Sequence, residues 1–249
     1  MFELINGIRS IVETCMRIEP KERILVIADD EAGPMWAGQL AMNIIGSMGA
    51  EVVLTVITPR DILDPEPPAA VAAAMKSVNA VLNITDKAAL VHTSARKEAT
   101  AAGVRFYTLS SIPLDDLKQG VTATDIKLIK ERTETLAQRL TQAKVARLTS
   151  PSGTDIAMSL TGREGVAIHP MSDLGSLPYY AEAAIAPVEG TAEGVIVADL
   201  EVVGWECLLR EPLHYTVKAG KAVNVSGCAE EAIRSSRAFF TLFSNPEYT

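Results

Sequence analysis

The residues most able to do chemistry are three glutamates in a short run of small and apolar residues. Glu182, Glu189 and Glu193 stand in AEAAIAPVEGTAEG. A carboxylate inside such a run must pair, take up a proton or hold a cation, because an isolated buried charge is very costly. Read as chemistry, Glu182 is a metal ligand, its hard oxygens suiting Zn²⁺, Mn²⁺ or Fe²⁺. Read structurally, the three glutamates flank a strand on its solvent side, and the residues alone leave both readings open. His92, His169 and His214 have no short metal-binding spacing of the HxH or HExxH kind. His92 falls on an expected helix, His169 precedes Pro170 in a loop and His214 opens a strand, so each is expected to serve structure rather than a metal. Cys15, Cys207 and Cys228 are scattered, without the spacing of a zinc site or a disulfide framework. No GxSxG elbow or Ser/His/Asp arrangement supports nucleophilic catalysis.

A second polar set stands where an α/β sheet would present it. Asp29, Asp30 and Glu31 follow an apolar run, Asp86 follows another, and Ser110 and Ser111 follow a third. In open parallel sheets ligands bind outside the carboxyl ends of the strands, so these residues could line a crevice for a cationic or hydroxylated ligand. The plainer expectation is that they cap the helices that follow. The first turn, DDEAGPMWAG, has no GxGxxG, and its carboxylates would repel a pyrophosphate, so a dinucleotide cofactor is not expected.

The elements that must position these residues alternate. A helix over 3–18 is followed by a strand at 23–29, a continuous apolar run of the kind buried on both faces. A helix over 34–48, with Pro34 near its start and Gly49 after its end, leads to a strand at 51–57. Then come an alanine-rich helix after DPEPP, a strand at 79–84, a helix over 87–101 and a strand at 104–109. Such alternation implies right-handed crossovers and a parallel sheet covered on both faces. A long amphipathic helix over 122–143 closes this part. Beyond it, short β-type runs at 145–148, 155–160, 181–186, 195–198, 213–217 and 222–225 are divided by turns, and a helix is expected over 229–243. The expected organisation is an α/β parallel-sheet, Rossmann-like domain over 1–145 and a β-rich domain with a terminal helix over 146–249.

Composition sets the outer bounds. The 249 residues are 48% hydrophobic and 22% charged, which is ordinary for a globular chain with a sizeable core. Twenty-three Lys and Arg against 31 Asp and Glu give a net charge of -8, which argues against a nucleic-acid partner. No apolar run approaches the roughly 20 residues that span a bilayer, and the N-terminus has no secretory signal, so a cytoplasmic protein without a membrane partner is expected.

Two segments resemble a known family. SPSGTDIAMSLTGREG, from Ser150 to Gly165, is similar to the "GTD, apolar, Ser, apolar, x, Gly-Arg" run of the aminopeptidase T/aminopeptidase S metallo-aminopeptidases. LPYYAEAAIAPVEGTAEGVIVAD, from Leu177 to Asp199, resembles that family's "P…E-V-F-T-A-P…EG" segment. The resemblance implies a hydrolase that removes N-terminal residues from small peptides with a divalent metal, Zn, Co or Mn, and it implies a homodimer. It makes Glu182 a metal ligand, and it places the other ligands, a second Glu, two His, a Tyr and an Asp, beyond the matched region. Residues 1–249 then correspond to an N-terminal portion, expected to hold metal weakly or not at all and to be inactive alone. The ring-cleaving 2,5-dihydroxypyridine 5,6-dioxygenases share the "P…(A)EG" strand, here Pro187 to Gly194, and imply instead Fe(II), dioxygen and a small aromatic substrate. Their counterpart of E-A-A-I-A-P lacks the glutamate, so Glu182 inclines the resemblance towards the aminopeptidases. A non-catalytic remnant or binding domain is the third expectation.

Overall fold

A computed structural model describes residues 2–59, 65–110, 114–118, 120, 123–176, 181–201 and 208–227. The expected terminal helix over 229–243, Ser111, Cys207 and Cys228 lie outside these residues. The described chain forms two compact units, one made of residues 1–136 and 166–183, the other of 137–165 and 184–249.

The first unit is α/β. It begins with helix α1 (Phe2–Ile11), which passes into a π-helical turn (Val12–Met16) that ends where Arg17 takes a left-handed conformation. Then follow β1 (Arg23–Asp29), α2 (Ala32–Ser47), β2 (Glu51–Ile57), α3 (Ala69–Met75), β3 (Ala80–Ile84), α4 (Ser94–Ala101), β4 (Arg105–Thr108), α5 (Leu114–Leu117) and α6 (Ala123–Gln142), the last crossing into the second unit. The sheet order is β2-β1-β3-β4-β8, with β8 (Leu174–Ser176) returning from far along the chain to pair parallel with β4. All its pairings are parallel, and β1 is an inner strand, with Ile24 opposite both Val52 and Ala80. Six of its seven residues are buried, as the unbroken apolar run requires.

Alternation along the strands divides the core in two. Ile24, Val26, Leu82, Ile84 and Tyr107 pack with Ile8, Ile11, Cys15, Ala41 and Ile45 of α1, the π turn and α2. Leu25, Ile27, Val81 and Phe106 pack on the other face with Val71, Met75, Ala95 and Ala99 of α3 and α4. Burial pushes the Cys15 thiol up to about 12, so this cysteine is a packing residue and not a nucleophile.

One expected helix is shorter than its pattern. The helix expected over 87–101 begins only at Ser94. Leu90 takes φ +59, which a helix cannot contain, and Thr93 caps the late start by accepting from the Arg96 N–H at 3.2 Å. The Glu66 carboxylate also accepts from the Ser94 and Ala95 N–H groups. Burial opposes ionisation there, but those donors hold the Glu66 carboxyl below its usual value. His92 therefore lies in an exposed turn and not on a helix.

The second unit is built on an antiparallel sheet of order β12-β11-β10-β6-β5. Its strands are β5 (Val145–Thr149), β6 (Asp155–Ser159), β10 (Glu193–Ala198), β11 (Leu213–Lys218) and β12 (Lys221–Ser226). Ile156, Val197, Leu213, Tyr215 and Val217 are its buried strand residues. A separate two-stranded pair, β7 (Val166–Ile168) with β9 (Glu182–Ala184), falls in the first unit apart from Ala184. Among the described residues no helix is long and apolar enough to cross a membrane.

Gly194 is the tightest point of the antiparallel sheet. It has φ +139, and a Cβ there would lie 2.2 Å from the Asp155 carbonyl oxygen. Gly194→Ala is expected to cost about 3 kcal/mol or more through strain and forced strand separation. Gly162→Ala, at φ +77 with nothing near its Cβ, should cost only about 1 kcal/mol. Urea unfolding of the two variants measures the difference.

Candidate functional site

Unit one gathers polar side chains at the carboxyl ends of its central strands. The chain leaves β1 for β2 on one side and later reaches β3 on the other, so the β1–β3 gap is the point where strand order reverses. Asp29 ends β1 and is only 1% exposed. Its Oδ2 accepts the Asp86 N–H at 2.6 Å, joining the two strand ends across the gap. Among the described residues its Oδ1 has no hydrogen-bond partner. Burial pushes the Asp29 carboxyl up, against the opposing pull of the Asp86 and Glu31 N–H groups, and the Asp86 and Asp30 carboxylates push it further.

Beside it stands Asn83, fully buried in β3. Its Nδ2 donates to the Ala88 carbonyl at 2.8 Å, the Ala89 carbonyl at 3.1 Å and Thr108 Oγ1 at 3.2 Å. Thr85 Oγ1 donates to the same Ala88 carbonyl, and Ser110 Oγ donates to the Asp86 carbonyl at 3.3 Å. Two carbonyls on one side of the Asn83 amide fix its orientation, because only the NH₂ group can serve them. That leaves Asn83 Oδ1 as a second buried acceptor without a partner among the described residues. Of the carboxylates and hydroxyls expected at the strand ends, Asp29, Asp86 and Ser110 are brought together. The caps expected of the first group are absent: α2 has Glu31 at its N-cap position with no side-chain cap hydrogen bond. Asn83 was not among the sequence candidates, although a lone amide inside A-V-L-N-I was a visible signal.

The three glutamates do not converge. Glu182 is half-buried on β9. The backbone N–H of Glu189, and then the Arg163 guanidinium it pairs with, hold the Glu189 carboxyl below the usual range. Glu193 is exposed, and its Oε1 accepts the Ala219 N–H at 2.7 Å. Among the described residues no group of three or more His, Cys, Asp or Glu is placed to hold a metal ion. Catalytic metals normally take about three protein ligands. The described residues therefore do not by themselves fit a catalytic metal, and Glu182 is a single carboxylate.

The motif residues have structural work in the second unit. Thr154 Oγ1 accepts the Val197 N–H at 2.9 Å, and the Asp155 carboxylate receives two parallel bonds from Arg147, at 2.8 and 2.7 Å. Arg163 reaches Glu189, and the Val188 N–H bonds the Ser159 carbonyl at 2.8 Å. The G-T-D…G-R and P-V-E-G…E-G segments are thus packed against each other along β6 and β10, which ties together their order and spacing.

The histidines stay apart. His214 and His92 are exposed. His169 is 6% exposed, its Nδ1 accepts the Met171 N–H at 3.2 Å, and its Nε2 faces Glu134 Oε1 at 3.6 Å. Burial lowers its pKa despite the facing Glu134 carboxylate.

A parallel sheet with helices on both faces, a strand-order reversal carrying buried acidic and amide groups, and a separate antiparallel unit define a two-part α/β protein. The model of the 2,5-dihydroxypyridine 5,6-dioxygenase family matches residues 3–248, and the chain belongs to that family. A 2,5-dihydroxypyridine dioxygenase from Pseudomonas putida KT2440 has a similar structure, with a TM-score of 0.76 and 17% identity over 96% of this chain and 72% of that one. Wild-type AmpT, an aminopeptidase T from Thermus thermophilus, is similar with a TM-score of 0.58 and 16% identity over 94% of this chain and 74% of that one. No curated protein matches the sequence. The resemblance to the dihydroxypyridine dioxygenases is upheld as family membership, and the likeness to AmpT is one of fold.

Two pH effects follow. His169, with its pKa lowered on folding, contributes stability that is present above the unfolded value of about 6.5 and is lost as pH falls through the folded value. His169→Asn keeps an acceptor for the Met171 N–H; it should cost about 1–2 kcal/mol near pH 7.5 and show a shallower loss between about pH 7 and 5. Asp29 has the opposite sign, because a raised carboxyl pKa favours the folded state below the unfolded value of about 3.9 and penalises it as pH rises through the folded value. Asp29→Asn should therefore raise the melting temperature at about pH 7, with the gap closing towards about pH 4. Thermal melts of both variants across pH measure these slopes.

Proposed function

We propose that this chain is part of an enzyme that uses dioxygen to cleave the ring of a small dihydroxylated nitrogen heterocycle. The observation that carries the proposal is family membership over 3–248, practically the whole sequence. The -8 charge and the acidic strand ends fit a small, uncharged or cationic substrate better than an anionic one. Fe(II) is the metal this reading calls for, and its ligands would come from outside the described residues.

A second reading has its own observation. Glu182 stands in E-A-A-I-A-P, where the resemblance to the aminopeptidases puts a metal-binding glutamate, and it is half-buried rather than on the open surface. On this reading the enzyme removes N-terminal residues from small peptides with Zn, Co or Mn.

One pair of assays separates them. The full polypeptide supplied with Fe²⁺ and 2,5-dihydroxypyridine should take up oxygen as the ring absorbance disappears, and Glu182→Ala should retain that activity within about twofold. Hydrolysis of leucine p-nitroanilide with Co²⁺ or Zn²⁺, lost in Glu182→Ala and unaccompanied by oxygen uptake, overturns the first reading in favour of the second. Neither activity in any metal overturns both.

A further inference from the structure

We propose that the reversal point between β1 and β3 is a binding site for the ammonium group of a small protonated amine. The proposal does not rest on the reaction proposed above and is tested independently of it. Its core is a pair of oxygens without a hydrogen-bond partner among the described residues, Asp29 Oδ1 and Asn83 Oδ1, on side chains 1% and 0% exposed. A buried acceptor without a donor forfeits a hydrogen bond that water would have supplied, so two on neighbouring strands mark a place built for something that donates.

Strand alternation puts both on one side of the sheet. Leu25 and Ile27 of β1 and Val81 of β3 pack on the α3–α4 face, and Asp29 and Asn83 follow them at period two. Thr85 and Thr108 lie in the same phase, and the hydrogen bonds of Asn83 and Thr85 to Ala88 and Ala89 hold the 85–93 loop over this face. The chemistry of the ligand follows from what is unsatisfied. Both unpaired atoms are acceptors, which disfavours an ionised phosphate or carboxylate. One belongs to a carboxyl group, and Asp30, Glu31 and Asp86 stand exposed beside it, so a positively charged donor is favoured over a neutral one. An ammonium group carries three donors on a compact charge and can serve two oxygens together.

The cover over the site is held under strain. Leu90 is fully buried at φ +59, a conformation that costs a non-glycine residue about 1 kcal/mol or more. It is kept there by Thr93 Oγ1 donating to its carbonyl at 3.0 Å and by Arg96 Nε donating to the Val91 carbonyl at 2.6 Å. Strained loops of this kind cluster at ligand clamps. Entry of an amine to oxygens closed from bulk water requires this loop to shift, and release of the Leu90 strain lowers the cost.

The test uses methylammonium chloride as the probe and the side-chain amide signals of Asn83 in ¹⁵N-labelled full-length protein as the reporter. Methylammonium should shift those signals saturably. Asp29→Asn retains an oxygen for the Asp86 N–H but replaces the vacant acceptor with a donor, and it should weaken the response by at least about tenfold while the backbone spectrum stays folded. Leu90→Gly, which relieves the strain in the cover, should alter the exchange rate of the bound probe. The proposal is overturned if methylammonium gives no saturable shift, or if Asp29→Asn responds like the parent. An equal response to sodium or potassium chloride overturns the amine as the ligand, as does a response to 2,5-dihydroxypyridine alone. A crystal soaked in methylammonium that shows one bridging water on both oxygens overturns the site itself.

Discussion

A strand covered on both faces can carry no charged or unpaired polar group along its length, and that constraint on β1 organises the first unit. Ile24 to Ala28 are buried, and β2 and β3 satisfy their backbone groups on either side. Helices must then cover both faces, and α2 covers one while α3 and α4 cover the other, with the reversal between β1 and β3. The first place where the chain can again present a polar side chain is where β1 stops, at Asp29. The polar cluster is thus a consequence of how the core is closed, and its buried carboxyl and amide are the exceptions to an otherwise apolar interior.

The second unit is governed by close backbone approach rather than by deep burial. Gly194 lets β10 reach the Asp155 carbonyl, Thr154 meets the Val197 backbone, and Arg163 meets Glu189. The residues that make the sequence resemble its relatives are therefore those that set strand spacing in this sheet. A motif of this sort identifies a fold strongly and a reaction weakly, since the same spacing can support different chemistries on neighbouring segments.

Much of the first unit was legible in the sequence because its signals are local. Continuous apolar runs mark β1 and β3, and Gly49 marks the end of α2. What escaped depends on contacts between distant residues. The late start of α4 rests on Asn83 and Thr85 holding the loop that a helical pattern would have filled, and no window of local periodicity contains that competition. Three-residue β7 and β8 are too short to show a period. Of the candidate site, Asp29, Asp86 and Ser110 could be read as strand-end residues, whereas the importance of Asn83 lay in an unsatisfied oxygen that only the folded arrangement reveals. Glu182 was legible as an unusual carboxylate, but its surroundings were not.

The parallel pairing of β8 with β4 also has a kinetic side. During synthesis, β4 would leave the ribosome long before Leu174–Ser176, so one edge of the first sheet lacks its final partner until the chain has been made past residue 176. In the interval the antiparallel strands β5 and β6 are already available to pair with each other, their partners, from Val145 with Ser159 to Thr149 with Asp155, lying close in sequence. Local hairpin closure takes microseconds, whereas translation adds only about 5–20 residues per second. The nascent protein would thus begin its second sheet before it completes its first, and an exposed β4 edge is the segment that a chaperone or a neighbouring nascent chain would meet.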